Sequence, residues 1–248
     1  MLAAERQATI INLIQENGSV QVDELAKSLQ VSPMTIRRDL LKLEENGQIE
    51  RCHGGAVAKQ EMTYADKQTR YTREKSKIAE ICSGLVSSGD TVFLDAGTTT
   101  YEIARRICNI QGITIVTNDL EIAQIVKNSS AELIVCGGVV QKSTGSMLGY
   151  YATQLLKDFR FDVGFFGAAS INEKLEVMTP TVDKAFLKRE ASSRCGKSYL
   201  AVDMSKFERQ AMVKINCLSD YTGVVTNRVF TPKEQEIIKR EKIQIINL

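Results

Sequence analysis

The sequence predicts a two-domain α/β chain: a small helical head closed by a β-hairpin, then a larger, mainly parallel α/β domain. Three observations carry this. At 248 residues the chain exceeds the usual size of one compact domain. Its first sixty residues show helical apolar spacing that ends in a glycine-punctuated hairpin. From residue 73 onward, short apolar runs alternate with helical segments.

Composition sets outer bounds. With 43% hydrophobic and 25% charged residues, the chain is neither disordered nor fibrous. No run approaches the roughly eighteen apolar residues of a membrane span, and the N-terminus has no small-residue cleavage site, so a cytoplasmic protein without a membrane partner is expected. The six cysteines stand at least 22 positions apart, which predicts buried reduced thiols instead of a metal knuckle. His53 is the only histidine, which removes most zinc sites and every mechanism needing two imidazoles. No metal or cofactor is expected. The net charge of +2 announces no nucleic-acid partner, because residues 1–60 hold seven Lys/Arg against eight Asp/Glu. Any phosphate-binding surface must come from the placement of a few cations.

In the head, Ile10, Leu13 and Ile14 repeat at helical spacing within residues 5–16, and Asn17-Gly18 stops that helix. A second helix of about two turns packs Leu25 and Leu29 inward and ends by Gln30. Ser32-Pro33 starts a third, because Ser32 accepts from first-turn amides while Pro33 sits where no donor is required. Its apolar stripe is Ile36, Leu40 and Leu43, which leaves Met34, Thr35, Arg37, Arg38 and Lys42 able to face outward. Asp39 orients an arginine or favours the helix start, since a carboxylate near phosphate is repelled. The segment GQIERCHGGAVA places Ile49 among polar neighbours, turns at Gly54-Gly55 and resumes at Ala56-Val57, a small wing. Two short helices joined by a tight turn, the second rich in Thr and Arg, describe a helix-turn-helix. Spacing alone leaves a solvated three-helix bundle open.

The head is expected to span 1–58 and a mobile, mildly basic linker 59–72. The larger domain, 73–248, offers strand-like runs at 91–95, 113–117, 132–136, 162–168 and 198–203, with further strands at 224–226 and 243–247. In such sheets ligands bind outside the carboxyl ends of the strands. Asp95-Ala96-Gly97-Thr98-Thr99-Thr100 follows the first strand and opens a helix, putting a glycine, three hydroxyls and free amides where a phosphate can sit. Thr117-Asn118, Gly137-Gly138 and Asp203 end other strands, and one pocket built by several loops accounts for all of them. Taken singly, GTTT is a helix cap and GG a tight turn. Lys188 and Lys206 are cationic partners for an anionic ligand.

Both halves resemble one family. R-(x3)-I at Arg6 and Ile10, SPMTIRRDLLKLEENGQIERCHGGA from Ser32 to Ala56, LDAGTTT, VTN, the glycine pair, D-(x4)-G-A at Asp162 to Ala168 and D-x-S-K-F at Asp203 to Phe207 resemble the DeoR family. The resemblance implies a winged helix whose third helix enters the major groove. Thr35, Arg37 and Arg38 would contact bases or phosphates, Ser32 would cap and approach a phosphate, and Arg51 and His53 would sit on the wing. For 73–248 it implies a sensor similar to ribose-5-phosphate isomerase that binds a phosphorylated sugar or sugar derivative. The implied partners are operator DNA, this effector and further copies of the chain in a homodimer or homotetramer. Two departures stand out: Gln141-Lys142 where the family often has Arg, and Lys184-Ala185 where it often has Glu-Ala. The extra cation favours a more acidic effector, such as a phosphorylated sugar acid.

Two other classes remain. A sugar-phosphate isomerase needs a carboxylate base, yet Gly167-Ala168 is followed by Ala169-Ser170 where those enzymes carry an acidic pair; Asp95 and Asp203 remain at strand ends. An architectural DNA-binder without ligand would have no use for a phosphate cradle.

Overall fold

A computed structural model describes residues 2–17, 19–52, 54–58 and 62–248. The head comprises α1 (Ala3–Asn17), β1 (Ser19–Gln21), α2 (Val22–Ser28), α3 (Pro33–Glu45), β2 (Ile49–Cys52) and β3 (Gly55–Ala58). The predicted stripes meet in one core: Ile10 and Ile14 of α1, Leu25 of α2, and Ile36, Leu40 and Leu43 of α3 are buried with Ile49 and Ala56. The wing has three strands, not two, in the antiparallel order β1-β3-β2. β1 runs so close that a Cβ on Gly55 would stand 2.0 Å from the Val20 carbonyl oxygen. Gly55 therefore makes room for the third strand, while Gly54, at φ +82°, takes the left-handed turn.

The mobile connector expected over 59–72 is corrected at its centre. Residues Tyr64–Thr69 form a helix, α4, capped by Thr63, whose hydroxyl accepts from the Asp66 amide. The Tyr64 amide donates to the Ser143 carbonyl at 2.8 Å, and the Tyr64 ring stands edge-on to Tyr101. One aromatic ring and one cap dock a segment whose basic composition reads as solvated. α5 (Thr72–Ser83) follows directly.

The larger domain then alternates β4 (Thr91–Leu94), α6 (Thr98–Ile107), β5 (Thr114–Thr117), α7 (Leu120–Val126) and β6 (Glu132–Val135). A hairpin of β7 (Val139–Gln141) and β8 (Ser146–Leu148) leads to α8 (Tyr150–Leu156) and β9 (Phe161–Phe166). β10 (Ser170–Ile171), β11 (Glu176–Thr179), α9 (Val182–Ser193), β12 (Cys195–Ala201), β13 (Val213–Cys217), β14 (Gly223–Thr226), α10 (Pro232–Arg240) and β15 (Ile245–Asn247) complete it.

Seven strands make one parallel sheet, in the order β15-β14-β12-β9-β4-β5-β6. Each of the seven runs read as strands contributes one. Both faces are covered, as continuous apolar runs require. Val92 and Leu94 pack with Ile78 of α5, Ile103 of α6 and Ile122 of α7; Phe93, on the opposite face, packs with Ala152 of α8 and Leu187 of α9. The hairpin and the small β10-β11-β13 sheet are additions that sequence periodicity did not announce. Cys82 and Cys136 are buried, which pushes their thiols up to about 12 and leaves them unreactive. No helix among the described residues is long and apolar enough to cross a membrane.

This strand order locates the site. From β4 the chain steps outward through β5 and β6, then returns to lay β9 on the other side of β4. The loops leaving β4 and β9 diverge, and the crevice between them is where such sheets bind ligands.

Candidate functional site

On the head, α3 presents Met34, Arg37, Arg38 and Lys42 to solvent, with Thr35 half-buried. Ser32 caps the helix as expected, accepting the Thr35 amide at 3.2 Å, and its hydroxyl lies 2.9 Å from that of Thr35. Arg51, exposed on β2, is tied to α3: its amide donates to Glu44 Oε1 at 3.2 Å and its guanidinium lies 3.8 Å from Oε2. His53 lies outside the described residues. Asp39 is buried and accepts from Arg6 Nε at 2.5 Å and Gln7 Nε2 at 3.0 Å. Burial alone would push its carboxyl up; the hydrogen bonds from Arg6 and Gln7 and the charge of Arg6 outweigh that and hold it below the usual carboxylate range. Asp39 thus orients an arginine, on α1, and pins α1 to the helix that faces outward.

At the carboxyl ends of β4, β9 and β12 lies a cavity of about 400 Å³, within the range of small-molecule sites. Nine of the thirteen residues expected at a ligand line it: Asp95, Gly97, Thr98, Thr99, Thr100, Asn118, Lys188, Asp203 and Lys206. Gly97, which precedes α6, offers no side-chain cap, and Thr98, Thr99 and Thr100 of the helix's first turn line the cavity, so the positive end of the helix dipole lies at its wall. The scaffold holds this loop from beneath. Asn118 Oδ1 accepts the Ala96 amide at 3.1 Å, and Asp119 Oδ2 accepts the Gly97 amide at 3.0 Å. Burial pushes the Asp119 carboxyl up to about 7, against the pull of the amides of Ile122, Glu121 and Gly97.

The Lys188 ammonium is buried and bound to the Asp95 carboxylate, and it donates to the Gly167 carbonyl at 3.0 Å. Asp95 also accepts the Gly167 amide at 2.9 Å, so this pair bolts the end of β4 to the end of β9. Asp203 is fully buried; its Oδ1 accepts the Ser205 amide at 2.9 Å, while Oδ2 has no partner.

Four expected residues are not in the cavity lining. Thr117 is buried beneath it, donating to the Leu94 carbonyl at 2.7 Å. Gly137 and Gly138 turn the chain into the β7–β8 hairpin with φ of +71° and +102°, and a Cβ on Gly138 would meet the Leu148 carbonyl oxygen at 2.4 Å. Lys142 is exposed at the hairpin tip. The glycine pair aims the hairpin, and the hairpin brings Thr144 and Ser146 to the cavity.

Lys184, the lysine that stands where the family often has Glu, lies one helical turn before Lys188 on the same face of α9 and lines the cavity too. Other lining residues escaped the sequence reading. Lys67, Arg70 and Lys75 come from the segment read as a solvated linker and its continuation, and Arg209 from the loop after Asp203. Lys75 is buried and its ammonium donates to the Lys67 carbonyl. Burial, then the charge of Lys206, lowers its pKa to about 8. Ser170 Oγ and Tyr64 Oη are buried without partners, and both residues line the cavity.

Comparison with known proteins covers both halves. Residues 6–62 match the DeoR-like helix-turn-helix domain and residues 70–228 the DeoR C terminal sensor domain. An HTH-type transcriptional regulator of Haemophilus influenzae is 33% identical over 99% of this chain and 97% of its own. A lactose phosphotransferase system repressor of Staphylococcus epidermidis is 32% identical over 97% of this chain and 96% of its own. The solved ribose 5-phosphate isomerase A of Methanocaldococcus jannaschii aligns with a TM-score of 0.40 and 16% identity over 54% of this chain and 53% of its own. With both domain models matched and relatives similar from end to end, the chain belongs to the DeoR family of transcriptional regulators.

Proposed function

We propose that this regulator is a cytoplasmic repressor of a carbohydrate-utilisation operon, released from its operator by a phosphorylated sugar or sugar acid. The observation that carries the reading is the cavity at the switch point, where the uncapped first turn of α6 opens among buried lysines. Phosphate suits both features. The repressor part is supported by the relatives named lactose phosphotransferase system repressors.

On the head, the exposed face of α3 enters the major groove through Met34, Thr35, Arg37, Arg38 and Lys42, with Ser32 at a phosphate. Arg51 and His53 approach the backbone from the wing. One short helix reads few base pairs, so two or four copies acting together supply the site length an operator needs. Effector binding lowers operator affinity by its preference for the arrangement of heads that does not fit the operator.

The test is a fluorescence-anisotropy titration of DNA from upstream of the genes adjoining its own. Phosphorylated sugars should weaken binding in the wild type, while Arg37→Ala should lose specific binding and remain folded. Lys188→Ala is a poor probe, because it strands the buried Asp95 carboxylate. Thr99→Val removes only a hydroxyl.

A second reading, a sugar-phosphate isomerase with a DNA-binding head, draws support from the unpartnered Asp203 Oδ2 in the cavity. It requires turnover of an aldose phosphate that Asp203→Ala abolishes. The carboxylates expected after Gly167-Ala168 are replaced by Ala169 and Ser170, which favours the sensor.

A further inference from the structure

One outer face of the sensor is apolar where a solvated surface would be charged. From Leu133 to Leu156 the chain runs through β6, the β7–β8 hairpin and α8 with a single charged side chain, Lys142, in a protein that is 25% charged. Much of this stretch is not interior. Tyr150 and Tyr151 of α8 are 71% and 79% exposed, Val139 of β7 is 76% exposed, and Phe186 and Val182 of α9 are 55% and 48% exposed. These residues adjoin. α8 and α9 pack side by side over one face of the sheet, with Ala152 and Leu156 sharing a core with Ala185 and Leu187, so their outward residues form one surface. Gly138, just before β7, lies against α8: a Cβ there would stand 3.2 Å from that of Ala152.

The size of the patch decides what it is for. A whole aromatic side chain carries about 200 Å², so the three rings expose about 400 Å² before the valines are counted. The largest apolar patch on a typical monomer is about 300–600 Å² and is often functional. One side of a standard interface is about 800 Å², of which about 65% is apolar between like subunits, about 500 Å². The patch meets that requirement. The Tyr150 and Tyr151 rings brace each other edge-on, centroids 5.6 Å apart, so little freedom is lost on contact. The charges on the same face suit a second copy of this chain. On the exposed side of α9, Phe186 lies midway between Asp183 and Arg189, three residues before and after it. Where two such helices cross antiparallel about a two-fold axis near Phe186, Asp183 of each copy faces Arg189 of the other. The carbonyls of Ile215 and Lys214 hold two of the five Arg189 donors, which fixes the guanidinium and leaves donors for a carboxylate.

We propose that this face, α8 and the outward side of α9 with the start of the β7–β8 hairpin, is where two copies of the chain join about a two-fold axis. This rests on the reading that copies act together at an operator and assigns that assembly a surface. A neutral apolar patch meets its own image without like-charge repulsion, and the Asp183–Arg189 pattern is answered when both partners carry it. The surface also adjoins the cavity through one helix. α9 turns Lys184 and Lys188 inward to the cavity and Phe186 outward to the second copy, so a shift of α9 on ligand binding changes how two copies, and the heads they carry, are set.

The test is sedimentation velocity of the full chain over a range of concentrations, with operator anisotropy beside it. The wild type should sediment as a dimer or larger at micromolar concentration. Tyr151→Glu and Phe186→Glu each place a carboxylate in the patch at an exposed position, so both variants should keep the circular dichroism of the wild type. Each should raise the dissociation constant of the dimer about thirtyfold or more, the cost of losing an aromatic hot spot, and weaken operator binding with it. Asp183→Arg should weaken assembly, and Arg189→Asp added to it should restore assembly; failure to restore it overturns the antiparallel crossing of α9. Glutamate variants that assemble as well as the wild type overturn the surface and leave the reading of joint action standing. A wild type that stays monomeric at high micromolar concentration, alone and on operator DNA, overturns both.

Discussion

The ring of Tyr64 stands edge-on to that of Tyr101, centroids 6.1 Å apart and planes at 78°. Tyr101 belongs to α6, whose first turn opens the cavity, and Tyr64 begins α4, in the segment that leaves the DNA head. The contact therefore fastens the segment that follows the DNA head to the sensor domain beside the cavity. Tyr64→Ala removes an aromatic pair worth about 1 kcal/mol beyond its burial. In that variant, effector and operator should each still bind, but the effector should no longer change operator affinity. Anisotropy titrations with and without effector read this, and unchanged coupling would deny α4 its role.

The head is pinned by a buried ion pair. Arg6→Met leaves the Asp39 carboxylate buried without its partner, a loss of about 3–5 kcal/mol that a sixty-residue head cannot absorb. Operator binding should vanish with the head's melting transition, although Arg6 touches no groove; Asp39→Asn should be milder. Because Asp39 titrates below its ordinary value, the stability it contributes is present above about pH 4 and is lost as pH falls through its folded value. Calorimetry of the wild type and of Asp39→Asn should converge in acid.

Lys75 gives effector binding a pH signature. It is charged below about 8, and the groups acting on it are Lys206, Asp203, Glu102 and Lys67. A bound anion favours the charged form, so binding near pH 8 should take up a fraction of a proton, and affinity should fall as pH rises further. Titration in buffers of different ionisation enthalpy measures the uptake. Lys75→Gln should abolish it, and an uptake that persists in this variant would point to another group.

Gly138→Ala should destabilise without altering ligand chemistry. Its Cβ would meet the Leu148 carbonyl oxygen at 2.4 Å, at a φ of +102° that side chains rarely adopt. A loss of about 1–3 kcal/mol is expected from strain of this kind. The melting temperature should fall, while effector affinity at low temperature stays near wild type. Affinity lost without loss of stability would return the glycine pair to the binding surface.

What the sequence disclosed follows from physical range. Each of the seven parallel strands is a short run of apolar residues bounded by polar or small ones, and that pattern is local. β1 is three residues long, and its only local trace is a glycine at position 55 whose reason is the carbonyl of Val20. Asp95, the Gly97–Thr100 turn and Asp203 were legible because strand ends are where parallel sheets bind ligands. Thr117, Gly137 and Gly138 follow the same rule, yet the scaffold uses them to hold the loops in place. Lys75 was hidden for the opposite reason: a lysine on a helix reads as a solvated face until the neighbouring segment, here α4, covers it.

The central claim is that occupancy of the cavity controls the DNA head, and operator affinity tests it most directly. Full-length wild type and Thr99→Val should bind the same operator fragment equally well by anisotropy. Adding the phosphorylated sugar or sugar acid that binds best should weaken the wild type by about tenfold or more, within the usual range of coupling energies, and leave Thr99→Val far less affected. Equal release of both proteins, or no release of the wild type by a ligand that demonstrably binds it, would contradict the account.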